Sequence, residues 1–369
     1  MRRAAGVVLL GLVLVGVAGV FDASPLYVPG VGFAAVGLLT AAWVELSARG
    51  LRIRRELDVK RIVEDEPVPV RIEIRTSRLP LPVATVEDPL LEGAMRLPAG
   101  RRERTFTVVA RFGRRGRLQI APPTVVLRDP FELIRRVVRG AGEGELLVLP
   151  RTSAVALARR RGADGRHGGL AALLGAAATD VDGVQPYREG TSAGRIHWPA
   201  LARGAGLMER RLRVEADARP LVVLDTRGAA SRDELDMAVR AAASLTLAFA
   251  RAGGCALLLP GERRPVTIGE ELGNWPSAHV RLALVEGGDD MPVPALGGAG
   301  MRRGALIYVC ARRIERLPPA AGAIARGPAT LVIPGRLAGR EASFAVAGCN
   351  GYAVSRRPAA TAASGAVTG

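Results

Sequence analysis

Two uncharged apolar runs open the chain. Ala4 to Phe21 is almost wholly Val, Leu, Gly and Ala, and Leu26 to Val44 carries Pro29 and Gly30 near its beginning. Each approaches the ~20 residues a helix needs to cross the hydrocarbon of a bilayer. Neither shows the polar face expected of a helix packed onto a soluble core. The connector Asp22-Ala23-Ser24-Pro25 is short, so the pattern predicts a tight transmembrane hairpin whose Gly and Ala let the backbones approach closely. From Leu51 to about Pro150 the period falls to two: Val68, Val70, Ile72 and Ile74 alternate with Pro69, Arg71 and Glu73. Further strands are expected at 83–87, 106–110, 117–121, 124–127 and 145–149, an antiparallel β-sandwich domain.

The pattern changes again after a loose Arg/Gly/Ala connector at 151–174. Pro220 to Asp225 is a continuous apolar strand of the type buried on both faces. Ser231 with Glu234 is a capping box opening a helix to about Ala252, and Gly253 supplies its stop. Strands follow at 255–259 and 305–310, with another at 329–333, an edge strand at 265–268 and a helix near 276–285. Strand alternating with helix predicts a parallel, doubly wound sheet. The expected organisation is a helical hairpin at 1–48, a β-sandwich at 49–150 and a connector carrying a charged cluster at 151–219. An α/β domain follows at 220–356, then a disordered tail at 357–369.

Flanking arginines set the orientation. Arg2 and Arg3 precede the first run, Arg49, Arg52, Arg54 and Arg55 follow the second, and the connector holds only Asp22. The positive-inside rule therefore places both ends, and all that follows Glu45, in the cytoplasm. The competing reading is a signal peptide cleaved near Ala18. The second run and its arginines would keep the body inside even then.

Composition changes this picture little. The formal net charge is +17, yet Lys60 is the only lysine and aromatics are 4% of residues. Arginine-rich coding in a GC-rich genome gives such a balance, and no basic run is interleaved with stacking aromatics. Nucleic acid is not an expected partner. Cys255, Cys310 and Cys349 are odd in number, distant, and set in or beside apolar runs. That pattern indicates small buried hydrophobes in a reducing compartment rather than a disulfide framework.

Catalytic chemistry has little support. His167, His197 and His279 lack partners at metal or triad spacing, and no G-x-S-x-G elbow, phosphate loop or H-E-x-x-H is present. No cofactor is expected. Asp225 stands at the carboxyl end of the first doubly wound strand, where such sheets hold their ligands. An acid there, followed by two alternate serines, would bind a divalent cation through oxygens. The positions are instead Arg227 and Ala229, so the expectation is a degenerate site without metal, with Arg227 paired to Asp225 or turned to a partner.

The densest cluster spans Asp180 to Glu215. Within it are Tyr187, Arg188, Gly190, Arg195, Ile196, His197, Trp198, Ala202 and Arg203. Either its arginines are planar donors on a recognition surface, or they pair internally with Glu189 and Glu215 while Trp198 fills the junction with the sandwich.

These residues resemble the signature of a bacterial family known as domain of unknown function 58. Thr191 departs from it, standing where the family carries an acid. A second match is Arg114-Arg115-Gly116-Arg117 followed by Asp129-Pro130-Phe131 and Leu133. The paired N-terminal spans, β domain and terminal doubly wound sheet also resemble the family, so the likeness covers nearly the whole chain. It implies that the last domain is similar to a von Willebrand factor A domain, a binding module. It also implies a MoxR-type AAA ATPase as partner and, in its neighbourhood, a transglutaminase-like membrane protein. The expectation is a non-enzymatic scaffold, multi-pass in the bacterial inner (cell) membrane, with cytoplasmic domains. The alternatives are a hydrolase or transferase at the interdomain junction using His197 and Glu189, and a binder of anionic lipid or nucleic acid.

Overall fold

The computed structural model describes residues 2–76, 79–91, 93–142, 144–157, 180–187, 196–204, 206–213, 219–297, 304–325 and 327–354. The expected tail at 357–369 and most of the loose connector lie outside them. The chain forms two compact units, residues 1–113 with 117–148, and residues 114–116 with 149–369.

The first unit begins with helices α1 (Arg2–Val20) and α2 (Tyr27–Arg49), both long and apolar enough to cross a membrane. Their contact is made by small residues spaced seven apart. Ala4, Gly11 and Ala18 on α1 are buried, as are Gly30, Gly37 and Val44 on α2. A Cβ on Gly11 would lie 2.6 Å from the Ala34 nitrogen and the Gly30 oxygen, and one on Gly37 would lie 2.5 Å from Val8 Cγ2. At Gly11 and Gly30 the backbones come close because no side chain stands between them. The outer faces are apolar and open, with Leu9, Leu12, Val28 and Leu39 among the exposed side chains. Such faces suit lipid rather than water. The hydroxyl of Thr40 donates to the Val36 carbonyl at 2.7 Å, so it enters the helix contact satisfied.

Ten strands of the first unit follow among the described residues: β1 (Leu51–Glu56), β2 (Arg61–Val63), β3 (Val68–Thr76), β4 (Val83–Glu87), β5 (Met95–Leu97), β6 (Glu103–Ala110), β7 (Gly116–Ile120), β8 (Thr124–Arg128), β9 (Arg135–Arg139) and β10 (Gly144–Leu149). They form sheets in the orders β1-β3-β6, β2-β10-β7 and β5-β4-β8-β9. Every inward position of β3 is buried, as its alternation required. Ile53, Ile72 and Ile74 meet Ile62, Leu146, Val125 and Leu127 in one apolar cluster drawn from all three sheets. The strands β1, β2, β5 and β9 were not anticipated: β1 and β9 are studded with arginine, and β2 and β5 are three residues long.

Arg55, counted above among the flanking arginines, is buried. Its guanidinium lies 3.2 Å from Asp88 beyond β4, donates to Ala121 O at 2.9 Å and Ile120 O at 3.3 Å, and also bonds Gly142 O. Asp88 in turn accepts from the Leu90 amide at 2.8 Å. One side chain thus joins segments belonging to each of the three sheets. Gly142 has φ +118°, and a Cβ there would stand 3.2 Å from the Arg55 carbonyl, so glycine is required for this close pass.

The second unit contains β11 (Ala156–Leu157), β12 (Asp180–Pro186), α3 (Trp198–Ala202), β13 (Met208–Arg213), β14 (Leu221–Asp225), α4 (Arg232–Arg251), β15 (Cys255–Leu258), β16 (Val266–Ile268), α5 (Trp275–Leu284), β17 (Leu306–Cys310), α6 (Pro319–Ile324), β18 (Ala329–Pro334), β19 (Phe344–Val346) and β20 (Cys349–Val354). Its main sheet, eight-stranded among the described residues, runs β11-β19-β20-β18-β17-β14-β15-β16. The four strands β18, β17, β14 and β15 are parallel, as their unbroken apolar runs predict. The sheet is nevertheless mixed, not purely parallel. β16, β20 and β19 are antiparallel additions, and the last two are joined by a turn at Ala347 and Gly348 too tight for a helical crossover.

Both faces of this sheet are covered. Val222, Leu224, Ile307 and Val309 pack with Val239, Phe249 and Leu282 from α4 and α5, and Leu221, Val223, Leu306 and Tyr308 pack with Ala321 of α6. The expected cap of α4 is present, with Ser231 Oγ accepting from the Glu234 amide at 3.1 Å.

Two outcomes test the packing. Gly11→Leu overfills the helix contact and should cost about 1–3 kcal/mol, whereas Gly16→Leu, with no neighbour within 4 Å, should leave the melting temperature in detergent unchanged. Arg55→Met strands Asp88 without its charge partner and should cost about 3–5 kcal/mol. Arg54→Met, at a side chain 71% exposed, should shift the urea midpoint very little.

Candidate functional site

The strand order puts a switch point between β14 and β17. The chain leaves β14 for β15 on one side, then returns past it to β17 on the other. At such a point the connections diverge and open a crevice beyond the strand carboxyl ends. Asp225 and Cys310 end those strands in register, and Asp225 is 1% exposed.

A carboxylate at that depth needs partners for both oxygens. Arg227 donates from Nε to Oδ1 at 2.9 Å and from Nη2 to Oδ2 at 2.8 Å, and its amide reaches Oδ1 at 3.2 Å. Tyr308 Oη donates to Oδ2 at 2.6 Å. Burial alone would raise the Asp225 carboxyl, but these hydrogen bonds outweigh it and hold the group below its usual range. Burial first, and then the bond it donates to Asp225, push the Tyr308 phenol up, so it stays a neutral donor. The Arg227 guanidinium is held charged chiefly by its bond to Asp225.

The rim continues this chemistry. Gly228 has φ +62°, and a Cβ on it would stand 3.0 Å from Arg312 Cδ and 3.7 Å from Asp289 Oδ1. Glycine therefore lets the Arg312 side chain lie across the turn after β14. The Thr226 hydroxyl, in a residue 1% exposed, has no hydrogen-bond partner. Among the described residues, no group of three or more His, Cys, Asp or Glu is arranged to hold a metal ion. The oxygen ligands that a cation would take from Asp225 are already engaged by donors of this chain.

The three cysteines are interior residues. All three are buried and unbonded to one another. Burial pushes the Cys255 and Cys349 thiols up to about 12 and also raises Cys310, against hydrogen bonds from Arg312 that act to lower it.

Of the signature cluster, Tyr187, Ile196, His197, Trp198, Ala202 and Arg203 are described, whereas Arg188, Glu189, Gly190, Arg195 and Glu215 lie outside the described residues. The segment expected as connector contains an antiparallel pair, β12 with β13. The Tyr187 amide donates to Leu207 O at 3.0 Å and the His197 amide to Met208 O at 2.8 Å. His197 caps α3, with Nδ1 accepting from the Ala200 amide at 3.1 Å. Trp198 is 57% exposed. The inward side of α3, a single short turn, is taken by Ala200. Arg203 is also exposed.

The second motif is structural. Arg115, buried within the second unit, lies 2.9 Å from Asp236. It donates to the carbonyls of Leu282, Ala283 and Val285, the end of α5. It therefore satisfies the orphan acceptors of a helix C-terminus as well as a buried acid. Gly116 beside it has φ +116°. Asp129 accepts from the amides of Phe131 at 3.0 Å and Ile134 at 2.6 Å, holding the turn that contains Pro130. Phe131 itself is 64% exposed. His279 stacks on Trp275 and its Nε2 meets Pro150 O at 2.7 Å. His167 lies outside the described residues.

Sequence reasoning located Asp225 and Arg227 but missed Tyr308, whose apolar neighbours Leu306, Ile307 and Val309 made it look like ordinary core. The available signal was register: Tyr308 sits two residues before the end of the strand beside β14. No protein-family model matches the chain, and no curated protein is significantly similar to it.

The sign of the Asp225 shift gives a pH prediction. Its folded pKa is depressed, so its contribution is present above the unfolded value of about 3.9 and is lost as pH falls through the folded one. Asp225→Asn should destabilise by about 2–4 kcal/mol at pH 7, because Arg227 and Tyr308 lose a charged acceptor. The gap from wild type should narrow below about pH 4. Urea midpoints measured from pH 7 to pH 2.5 check this, and a constant gap would refute it.

Proposed function

We propose that this chain is a membrane-anchored, non-enzymatic scaffold of the kind found in the domain of unknown function 58 family. In this reading α1 and α2 form a transmembrane hairpin in the bacterial cell membrane, and both units stand in the cytoplasm. The strands of the first unit are a β-sandwich. The second unit is a von Willebrand factor A-like domain that binds a partner protein, a MoxR-type AAA ATPase. A transglutaminase-like membrane protein belongs to the same assembly.

The observation that carries the reading is the internal pairing of Asp225. At the place where an open α/β sheet presents its ligand groups, the acid is neutralised by Arg227 and hydrogen-bonded by Tyr308. What then faces the crevice is guanidinium, from Arg227 and Arg312, a group suited to recognising carboxylates on another protein. The exposed apolar faces of the two helices support the anchor. The four parallel strands with an acid ending the first support the likeness to a binding module.

Crosslinking of the tagged full chain in native membranes, followed by detergent extraction, tests this. An AAA ATPase should be recovered with it. Arg312→Ala should lower that recovery about tenfold or more, as loss of an interface arginine does, with the melting temperature unchanged. Arg316→Ala, on the exposed loop beyond, should have no effect. Absence of the ATPase under repeated crosslinking, or indifference to Arg312→Ala, would overturn the proposal.

A further inference from the structure

Within the first unit a cavity of about 490 Å³ opens where the base of the hairpin meets β9. Its wall is apolar, built from Leu9 and Leu12 of α1 and Leu38 of α2, which are 62%, 58% and 59% exposed. Its other end is charged, built from Glu45, Arg135 and Arg136. Glu45 stands seven residues beyond Leu38, so the two ends are separated by roughly 10 Å along the helix axis. Arg136 Nε lies 3.5 Å from Glu45, and Arg49 lies 3.3 Å from the same acid. Among the described residues, no ion pair or hydrogen bond engages the Arg135 side chain. Two arginines therefore pair with one carboxylate while Arg135 lines the same cavity, and the excess charge is positive.

We infer that this groove seats one anionic phospholipid, its acyl chain along Leu9, Leu12 and Leu38 and its phosphate against Arg135 and Arg136. The inference rests on the membrane reading above. An apolar wall that ends in guanidinium matches a molecule with a tail and an anionic head. A planar guanidinium can donate two bonds to one phosphate. A soluble anion would gain nothing from the wall, and a zwitterionic lipid would offset its phosphate with its own ammonium, so the surplus arginine favours a headgroup of net negative charge. The antiparallel hairpin brings the first turns of α1 and the last turns of α2 to one level, and Glu45 with Arg136 fixes β9 against it. The charged end then falls at headgroup depth, where arginine attracts acidic lipid by about fivefold in affinity per residue.

Native mass spectrometry of the detergent-purified full chain, exchanged into equimolar phosphatidylglycerol and phosphatidylcholine, tests the seat. Wild type should retain one phosphatidylglycerol in preference to phosphatidylcholine. Arg135→Ala should reduce that preference about fivefold, and Arg135→Ala with Arg136→Ala about thirtyfold. Glu45→Gln should increase it, a gain that a misfolded protein would not produce. Leu9→Gln should weaken retention without changing the headgroup preference. Equal retention of the two lipids, an unchanged preference in the double variant, or competition by inorganic phosphate as effective as by phosphatidylglycerol would each overturn the inference. Carbonate extraction separates this failure from failure of the anchor: a chain released by carbonate sinks both, and a chain that stays in the membrane without lipid preference sinks only the seat.

Discussion

A guanidinium removed from water must find an anion and enough carbonyls to replace its hydration. Both compact units are organised by that demand. Arg55 with Asp88 joins segments from the three sheets of the first unit. Arg115 with Asp236 closes the end of α5 against α4 in the second. Arg227 with Asp225 closes the mouth of the switch-point crevice. In each case the arginine bonds groups from distant parts of the sequence or both oxygens of one acid, which its rigid fork allows and a lysine would not. With aromatics at 4%, the apolar clusters rely on short aliphatic side chains, which fill volume without fixing direction. The buried pairs supply direction.

This explains why much of the fold was legible in the sequence and why the rest was not. Period-two alternation in β3 and the solid apolar runs of β14, β15, β17 and β18 announced strands, because one or both faces must be dry. Ser231 and Glu234 announced the start of α4, because a helix leaves orphan amides there. β9 reads Arg-Arg-Val-Val-Arg and β1 alternates arginine with aliphatic residues, so charge hid both. Arg55 was read as one of several positive charges flanking a span, since nothing local marks a side chain that leaves the strand to reach residues 88, 120, 121 and 142. Part of the arginine behind the net charge is interior architecture, since Arg55 and Arg115 are buried.

The candidate site was legible in outline for the same reason. Asp225 and Arg227 are two residues apart, so their pairing could be posed from the sequence, whereas Tyr308 reaches the same carboxylate from another strand. Its phenol matters for more than satisfaction. Held neutral by burial, it donates to Oδ2 while Arg227 spans both oxygens, so the acid is fixed as an ion without being open to solvent. The signature residues divide differently. His197 spends Nδ1 on a helix cap and Asp129 spends both oxygens on a turn, roles that shape backbone, while Trp198 and Phe131 are left at the surface. A motif can thus be specific in sequence while its members do unrelated physical work.

The hairpin and the crevice share one logic, since in both a close approach is reserved by glycine and then filled by something particular. Gly11, Gly30 and Gly37 leave room for the backbone of the opposite helix. Gly228, with positive φ, leaves room for Arg312 over the turn after β14. A side chain at Gly11 would part the helices, and the groove below them would widen, since Ala4, Gly37 and Ala41 line its floor. A side chain at Gly228 would push Arg312 off the turn and uncover the buried Thr226–Asp225 region. Hairpin and crevice therefore answer to the same kind of substitution in different ways, the first by losing a helix contact, the second by losing the arginine side chain held over its turn.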